Sequence, residues 1–252
     1  MAVKRDELVR ELNALLDIAN IKDASCNGLQ VQGAAEVTRV GLTVDACLEA
    51  YKQAGDKDCQ MLLVHHGLIW GGIKAVTGRD HDHVKHLLNA GLNLYAAHLP
   101  LDLHPEYGNN IGLARLLNLD NIQPFGMYEN ILIGHKGELS EALSTAALSD
   151  LLKKELEADP VCFDFGTDLN TTVGIVSGGG AGELKDAIDL GIDCFITGES
   201  AHWNYHAAQE AGVNVIYSGH YHTETIGVKA LGKYIEETFG IETVFIDLPT
   251  PI

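Results

Sequence analysis

A chain of 252 residues, 46% hydrophobic and 21% charged, has the size of one large domain or two small lobes and an ordinary globular composition. Its formal net charge of −18 excludes nucleic-acid binding through a broad basic face and favours the approach of cations. No apolar run reaches the ~20 residues of a membrane-spanning helix, the charged amphipathic start does not read as a secretory signal, and five scattered cysteines without a C-x-x-C pair exclude a disulfide framework and a thiolate zinc site. A cytoplasmic protein is expected, with no membrane partner, in which any metal is held by nitrogen and oxygen.

The predicted elements alternate. A helix is expected over residues 5–18, a strand over 37–44, a helix over 46–54, a strand over 60–65, a short helix over 83–89 and a strand over 92–97. There follow a helix over 110–117, a strand over 131–135 and a long helix over 140–157. The last part reads as strand 172–176, helix 182–190, strand 193–197, helix 202–211, strand 213–217, helix 223–239 and strand 242–246. Alternation of this kind implies βαβ units and a largely parallel sheet.

Two segments echo each other. Residues 90–98 read AGLNLYAAH and residues 211–220 read AGVNVIYSGH. Each is an Ala-Gly helix end, a short apolar strand carrying an Asn, and a histidine beyond it. MLLVHHG and CFITGES occupy comparable places upstream. The expected fold is therefore α/β, with two similar lobes from an internal duplication and a metal site at the strand carboxyl ends between them. The first lobe is assigned to residues 1–120, a connecting insertion to 121–170 and the second lobe to 171–252.

The polar residues collect at those strand ends, where open α/β sheets bind ligands. His65 and His66 close an apolar run before Gly67, which allows a turn. Adjacent strand residues face opposite sides, so the pair can serve two ions, or one ion if the backbone turns. The bland alternative is a pair of packing histidines. Asp102 is expected on a stiff extended loop between Pro100 and Pro105. His220 and Glu224 lie around Thr223, a predicted N-cap, with Glu224 in the first helical turn. Three nitrogens and two carboxylates exceed what one closed tetrahedral zinc needs and suit two divalent ions that activate a water. The charge left by two such ions over two carboxylates favours a bridging hydroxide and a small anionic substrate.

Other features carry weaker signals. Gly178, Gly179 and Gly180 follow a strand and open a helix, which is either an anion-holding loop or a tight turn. His98 suits a supporting or proton-transfer role, and Glu199 a general base. His81, His83 and His86 read as a surface patch. His202 and His206 share a helix face without a third ligand. Trp70 and Tyr107 read either as cavity walls or as packing.

The motifs NGLQVQG (27–33), LLVHHGLIW (62–70), YAAHLPLDLHPEYGNN (95–110), ITGE (196–199) and SGHYHTE (218–224) resemble the YbgI family, the dinuclear-metal proteins related to yeast NGG-one-interacting factor three. Members are often labelled GTP cyclohydrolase I type 2 homologs. The resemblance spans nearly the whole chain. It implies a toroidal homohexamer whose metal sites face an internal cavity, metal ligands at His65, His66, Asp102, His220 and Glu224, and Glu224 as the bridging carboxylate.

The leading expectation is a metal-dependent hydrolase of GTP cyclohydrolase-like type. It would hold two divalent ions per chain (Fe, Mn, Zn, Co or Ni) and act on a nucleotide-like anion. The rivals are a non-enzymatic metal-binding or metal-trafficking scaffold, and redox chemistry at two irons.

Overall fold

The computed structural model describes residues 2–72 and 75–251. The chain divides into two compact units, Met1–Leu101 with Gly227–Leu248, and Asp102–Ile226 with Pro249–Ile252. In the first unit β1 (Val3–Lys4), α1 (Arg5–Leu15), β2 (Gly28–Val31), β3 (Glu36–Val37), β4 (Arg39–Asp45), α2 (Leu48–Asp56), β5 (Met61–His66), α3 (Gly78–Ala90) and β6 (Asn93–Ala96) follow one another. The turn α4 (Leu99–Asp102) leads to α5 (Asn109–Leu116), β7 (Leu119–Tyr128), β8 (Ile131–Leu143), α6 (Thr145–Leu156), β9 (Val161–Phe163) and β10 (Asn170–Val176). After a 3₁₀ turn (Gly180–Glu183) come α7 (Leu184–Asp189), β11 (Cys194–Thr197), α8 (Asn204–Ala211) and β12 (Asn214–Tyr217). Helix α9 (His220–Phe239) starts in the second unit and ends in the first, which β13 (Glu242–Phe245) completes.

The first sheet runs β13-β4-β5-β6-β2 and the second β7-β8-β10-β11-β12-β9. Within them lies one repeated pattern. β4, β5 and β6 are parallel with β2 antiparallel at their edge. β10, β11 and β12 are parallel with β9 antiparallel at theirs. Chain order and sheet order match, so the two lobes are similar in topology. β5 is buried on both faces, with Met61, Leu62, Leu63 and Val64 all fully buried, as a central parallel strand requires. Each such side chain contributes about 1.5–3 kcal/mol of burial.

The echo segments make equivalent bonds. α3 and α8 end at Gly91 and Gly212, both left-handed at φ +60° and +66°, the usual helix stop. Buried Asn93 accepts from Gly33 N at 2.7 Å and donates to Ala34 O and Gln60 O. Buried Asn214 accepts from Gly166 N at 2.7 Å and donates to Thr167 O and Asn170 Oδ1. Each Asn fastens the edge segment to the strand it opens. A Cβ on Gly33 would lie 2.3 Å from Gly91 O, and one on Gly166 2.7 Å from Gly212 O, so both close approaches need glycine.

Several expectations change. The units do not follow the boundaries 1–120, 121–170 and 171–252. β13 pairs parallel with β4 and so returns the chain's last strand to the first unit. Much of the expected insertion is the long β7–β8 hairpin, whose second strand pairs antiparallel with β10. The second sheet is therefore mixed. Residues 140–143 are strand rather than helix, because the N-cap is Ser144, whose Oγ accepts from Ala147 N at 3.2 Å. The helix expected from 223 starts at His220, after the turn at Gly219 (φ +83°). Thr223 is therefore not an N-cap, and its hydroxyl donates to Gly219 O and His220 O. Asp102 lies in a helical turn, not an extended loop.

Candidate metal centre

The first unit gathers three imidazoles at the carboxyl end of its parallel strands. His65 is fully buried and His66 half-buried at the end of β5, and His98 lies two residues beyond β6. Ring centroids are 4.7 Å apart for His65 and His66, 5.1 Å for His65 and His98 and 5.6 Å for His66 and His98. One ring nitrogen from each lies within 4.8 Å of the others, and this group could hold a metal ion.

Each ring is held by an oxygen at Nδ1. His65 Nδ1 is 2.8 Å from Ala97 O, His66 Nδ1 is 2.8 Å from Asp45 Oδ1, and His98 Nδ1 is 3.0 Å from both oxygens of Asp23. An acceptor at Nδ1 fixes the N–H there, so a neutral ring carries its lone pair at Nε2. Asp23 is itself anchored by Asn27 Nδ2, Ser25 N and Leu99 N. Burial works to raise its pKa, but the hydrogen bond and charge of His98, with the bonds from Asn27 and Ser25, override it and bring it down to about 2.

The second unit holds the other expected ligands. Buried Asp102 accepts at Oδ1 from Asn109 Nδ2 at 2.8 Å and Ser177 Oγ at 3.2 Å. His220 and Glu224 lie one turn apart on α9, with Nε2 and Oε2 3.1 Å apart. At that separation the nitrogen and the oxygen are close enough for both to bind one cation. The opposite nitrogen, Nδ1, lies 2.5 Å from Glu199 Oε1. Burial lowers the His220 pKa, but Glu224 and Glu199 outweigh it and hold the ring up to about 9. Nitrogen and carboxylate donors with oxygen partners behind them are the chemistry that divalent first-row metals take.

The segment read as either an anion loop or a tight turn is closely packed. Gly178 N donates to Thr223 Oγ1, and Gly178 O accepts from Gly198 N and Glu199 N. A Cβ on Gly178 would lie 2.0 Å from Glu224 Oε1, and one on Gly180 2.4 Å from Val176 Cγ1. Gly178 and Gly180 are thus needed for close packing, Gly178 directly under the Glu224 carboxylate. Gly179 approaches nothing closer than His220 Cε1 at 3.8 Å.

The remaining histidines and aromatics sort as follows. His83 is buried with Nδ1 3.2 Å from Tyr51 OH, so it is a core residue and not part of a surface patch; His81 is exposed. Tyr107 stacks on His104 at 5.1 Å. Trp70 stands edge-on to His98 at 4.9 Å and donates from Nε1 to Gly67 O. Asp45, Asp23 and Asn27 carry no local signal as supports; they reach their histidines across 21 to 75 residues of chain.

The Duf34/NIF3 (NGG1p interacting factor 3) family model matches residues 3–251. A Pyrococcus abyssi protein named GTP cyclohydrolase 1 type 2 homolog is 45% identical over 249 residues, covering 98% of this chain and 99% of its own. The crystal structure of TTHA1606 from Thermus thermophilus is 41% identical, with a TM-score of 0.92 over 99% of this chain and 100% of its own. A structure of protein ybgI, described as of unknown function, is 34% identical with a TM-score of 0.91 over 99% and 100% of the two chains. The chain belongs to the Duf34/NIF3 family.

Proposed function

We propose that this protein is a metal-dependent hydrolase of GTP cyclohydrolase-like type. Its metal ligands are His65, His66, Asp102, His220 and Glu224, two divalent ions bind per chain, and its substrate is a small nucleotide-like anion. One observation supports this most strongly. Each imidazole of the set, His65, His66 and His220, is backed at Nδ1 by an oxygen from Ala97, Asp45 or Glu199. That is the arrangement by which proteins orient Nε2 toward a metal.

When bound, such ions supply a water nucleophile at neutral pH and positive charge for the developing oxyanion. The chain's own residues do the positioning. Asp45 and Glu199 orient the rings of His66 and His220 through Nδ1. Asn109 and Ser177 fix the rotamer of Asp102. Asp23 holds His98 beside His65 and His66, where it can relay a proton. The likeness to proteins named GTP cyclohydrolase 1 type 2 homolog makes GTP the first substrate to assay. The homohexamer implied by the family is part of this proposal and is read out by light scattering.

The test is metal analysis of reconstituted protein beside a His65→Ala, His220→Ala double variant, followed by a turnover screen on nucleotides and phosphodiesters. About two metals per wild-type chain, lost in the variant, with metal-dependent turnover, is the expected result. Fewer than one metal per chain defeats the proposal. Tight metal binding without turnover of any substrate favours a metal-handling scaffold instead.

A further inference from the structure

The second unit contains two adjoining cavities. One, of about 290 Å³, is lined by Asp159, Val161, Glu199, Ser200 and Tyr217 among others. The next, of about 280 Å³, is lined by Phe163, Ser200, Ala201, His202, Tyr205 and His206. Ser200 lines both, and side by side they form a cleft whose combined volume falls in the range that takes a small-molecule ligand, ~300–1,000 Å³. One end reaches Glu199, the residue that backs His220.

The other end is aromatic. Phe163 meets Tyr205 edge-on at 5.0 Å and Tyr217 at 5.1 Å, and Phe165 meets Tyr205 at 5.1 Å. Tyr205 nevertheless remains 40% exposed. Phe163 and Phe165 pack against it, and its open surface lines the cavity. Aromatic side chains with an exposed face are stacking platforms for planar rings.

Charge narrows the ligand further. Neither cavity is lined by a Lys or Arg among the described residues, while Asp159 and Glu199 line the first. A phosphate therefore has no lysine or arginine among these lining residues to pair with. The Glu199 carboxylate accepts one bond from His220 Nδ1, and a carboxylate has capacity for about four. It suits the N–H edge of a ring.

We propose that this cleft is the binding subsite for a planar nitrogen heterocycle bearing N–H donors, seated against Tyr205 and Phe163 with its polar edge toward Ser200 and Glu199. The subsite deepens the hydrolase reading, on which it rests for the placement of the reacting part of the ligand near His220. Ring binding by the cleft itself requires no metal.

The test uses chelator-stripped full-length protein and calorimetric titration with guanosine, with ribose as the ringless control. Guanosine should bind and ribose should not. Tyr205→Ala should weaken guanosine binding about tenfold, the loss of a stacking platform, whereas Tyr205→Phe should bind as wild type. Tyr205→Leu keeps apolar bulk and should weaken binding like Ala, so a folding defect in one variant does not decide the matter. Metal uptake by all three should equal wild type, which separates this result from the fate of the metal proposal. Failure of guanosine to bind at millimolar concentration, equal binding of ribose, or undiminished binding by both Ala and Leu variants would overturn it.

Discussion

The two units share a framework and differ in where they carry their donors. Both place three parallel strands beside an antiparallel edge, and both fasten that edge with one buried asparagine. In the first unit the strand register pairs Asp45 with His66, and the donors are the end of β5 itself. In the second, the corresponding end of β11 continues into Gly198 and Glu199, and the donors stand elsewhere, Asp102 at the end of α4 and His220 and Glu224 on the first turn of α9. Glu199 there serves as the oxygen behind an imidazole, the part that Asp45 plays in the first unit. The first unit offers two adjacent imidazoles at a strand end, and the second a histidine and a glutamate four residues apart on one helical turn. The same framework can thus present ligands from either, provided that an acceptor stands behind each ring.

The likeness of the frameworks is broken most strongly at the asparagines. Asn93→Ala and Asn214→Ala each strand buried backbone groups, and each should cost about 2–4 kcal/mol in chemical denaturation. A cost confined to one unit would mean that the clamps are not equivalent. Gly178→Ala should cost about 2–3 kcal/mol and displace Glu224, since the new Cβ meets its carboxylate at φ +61°. A matching fall in metal content is expected, measured by elemental analysis. Asp45→Asn and Glu199→Gln should each weaken metal affinity by about 10- to 100-fold with little change in melting temperature. If only one does so, the parallel between β5 and β11 fails.

The smallest effect concerns acid. The Asp23 carboxyl has its pKa depressed from 3.8 to about 2, so its contribution to stability is present above pH 3.8 and is lost as pH falls through about 2. The stability-pH curve of Asp23→Asn should lie below wild type at neutral pH and converge on it across that window.

Much of this was legible from residues. The apolar run of β5, the paired histidines at its end and the Ala-Gly helix stops all follow from local chemistry. So did the comparison of MLLVHHG with CFITGES. The β7–β8 hairpin was not legible. β7 carries Pro124 and Gly126 within a half-exposed pattern, and the end of β8, Ser140–Leu143, imitates a helix start. β9 has three residues, too few for a period. His83 looked like its exposed neighbours until Tyr51, 32 residues earlier, supplied a partner. Supports such as Asp23 are invisible locally because the fold alone brings them to their rings.

The return of β13 to β4 has a consequence for biosynthesis. Arg39 and Glu242, which hydrogen-bond across this pairing, are 203 residues apart. At a translation rate of ~5–20 residues per second, β4 waits about 10–40 s for its parallel neighbour to be made. During that interval the strand's outer edge, built from Arg39, Val40, Gly41 and Leu42, is an open template for pairing with another nascent chain. The first unit, begun first, completes its sheet only after most of the second has been made.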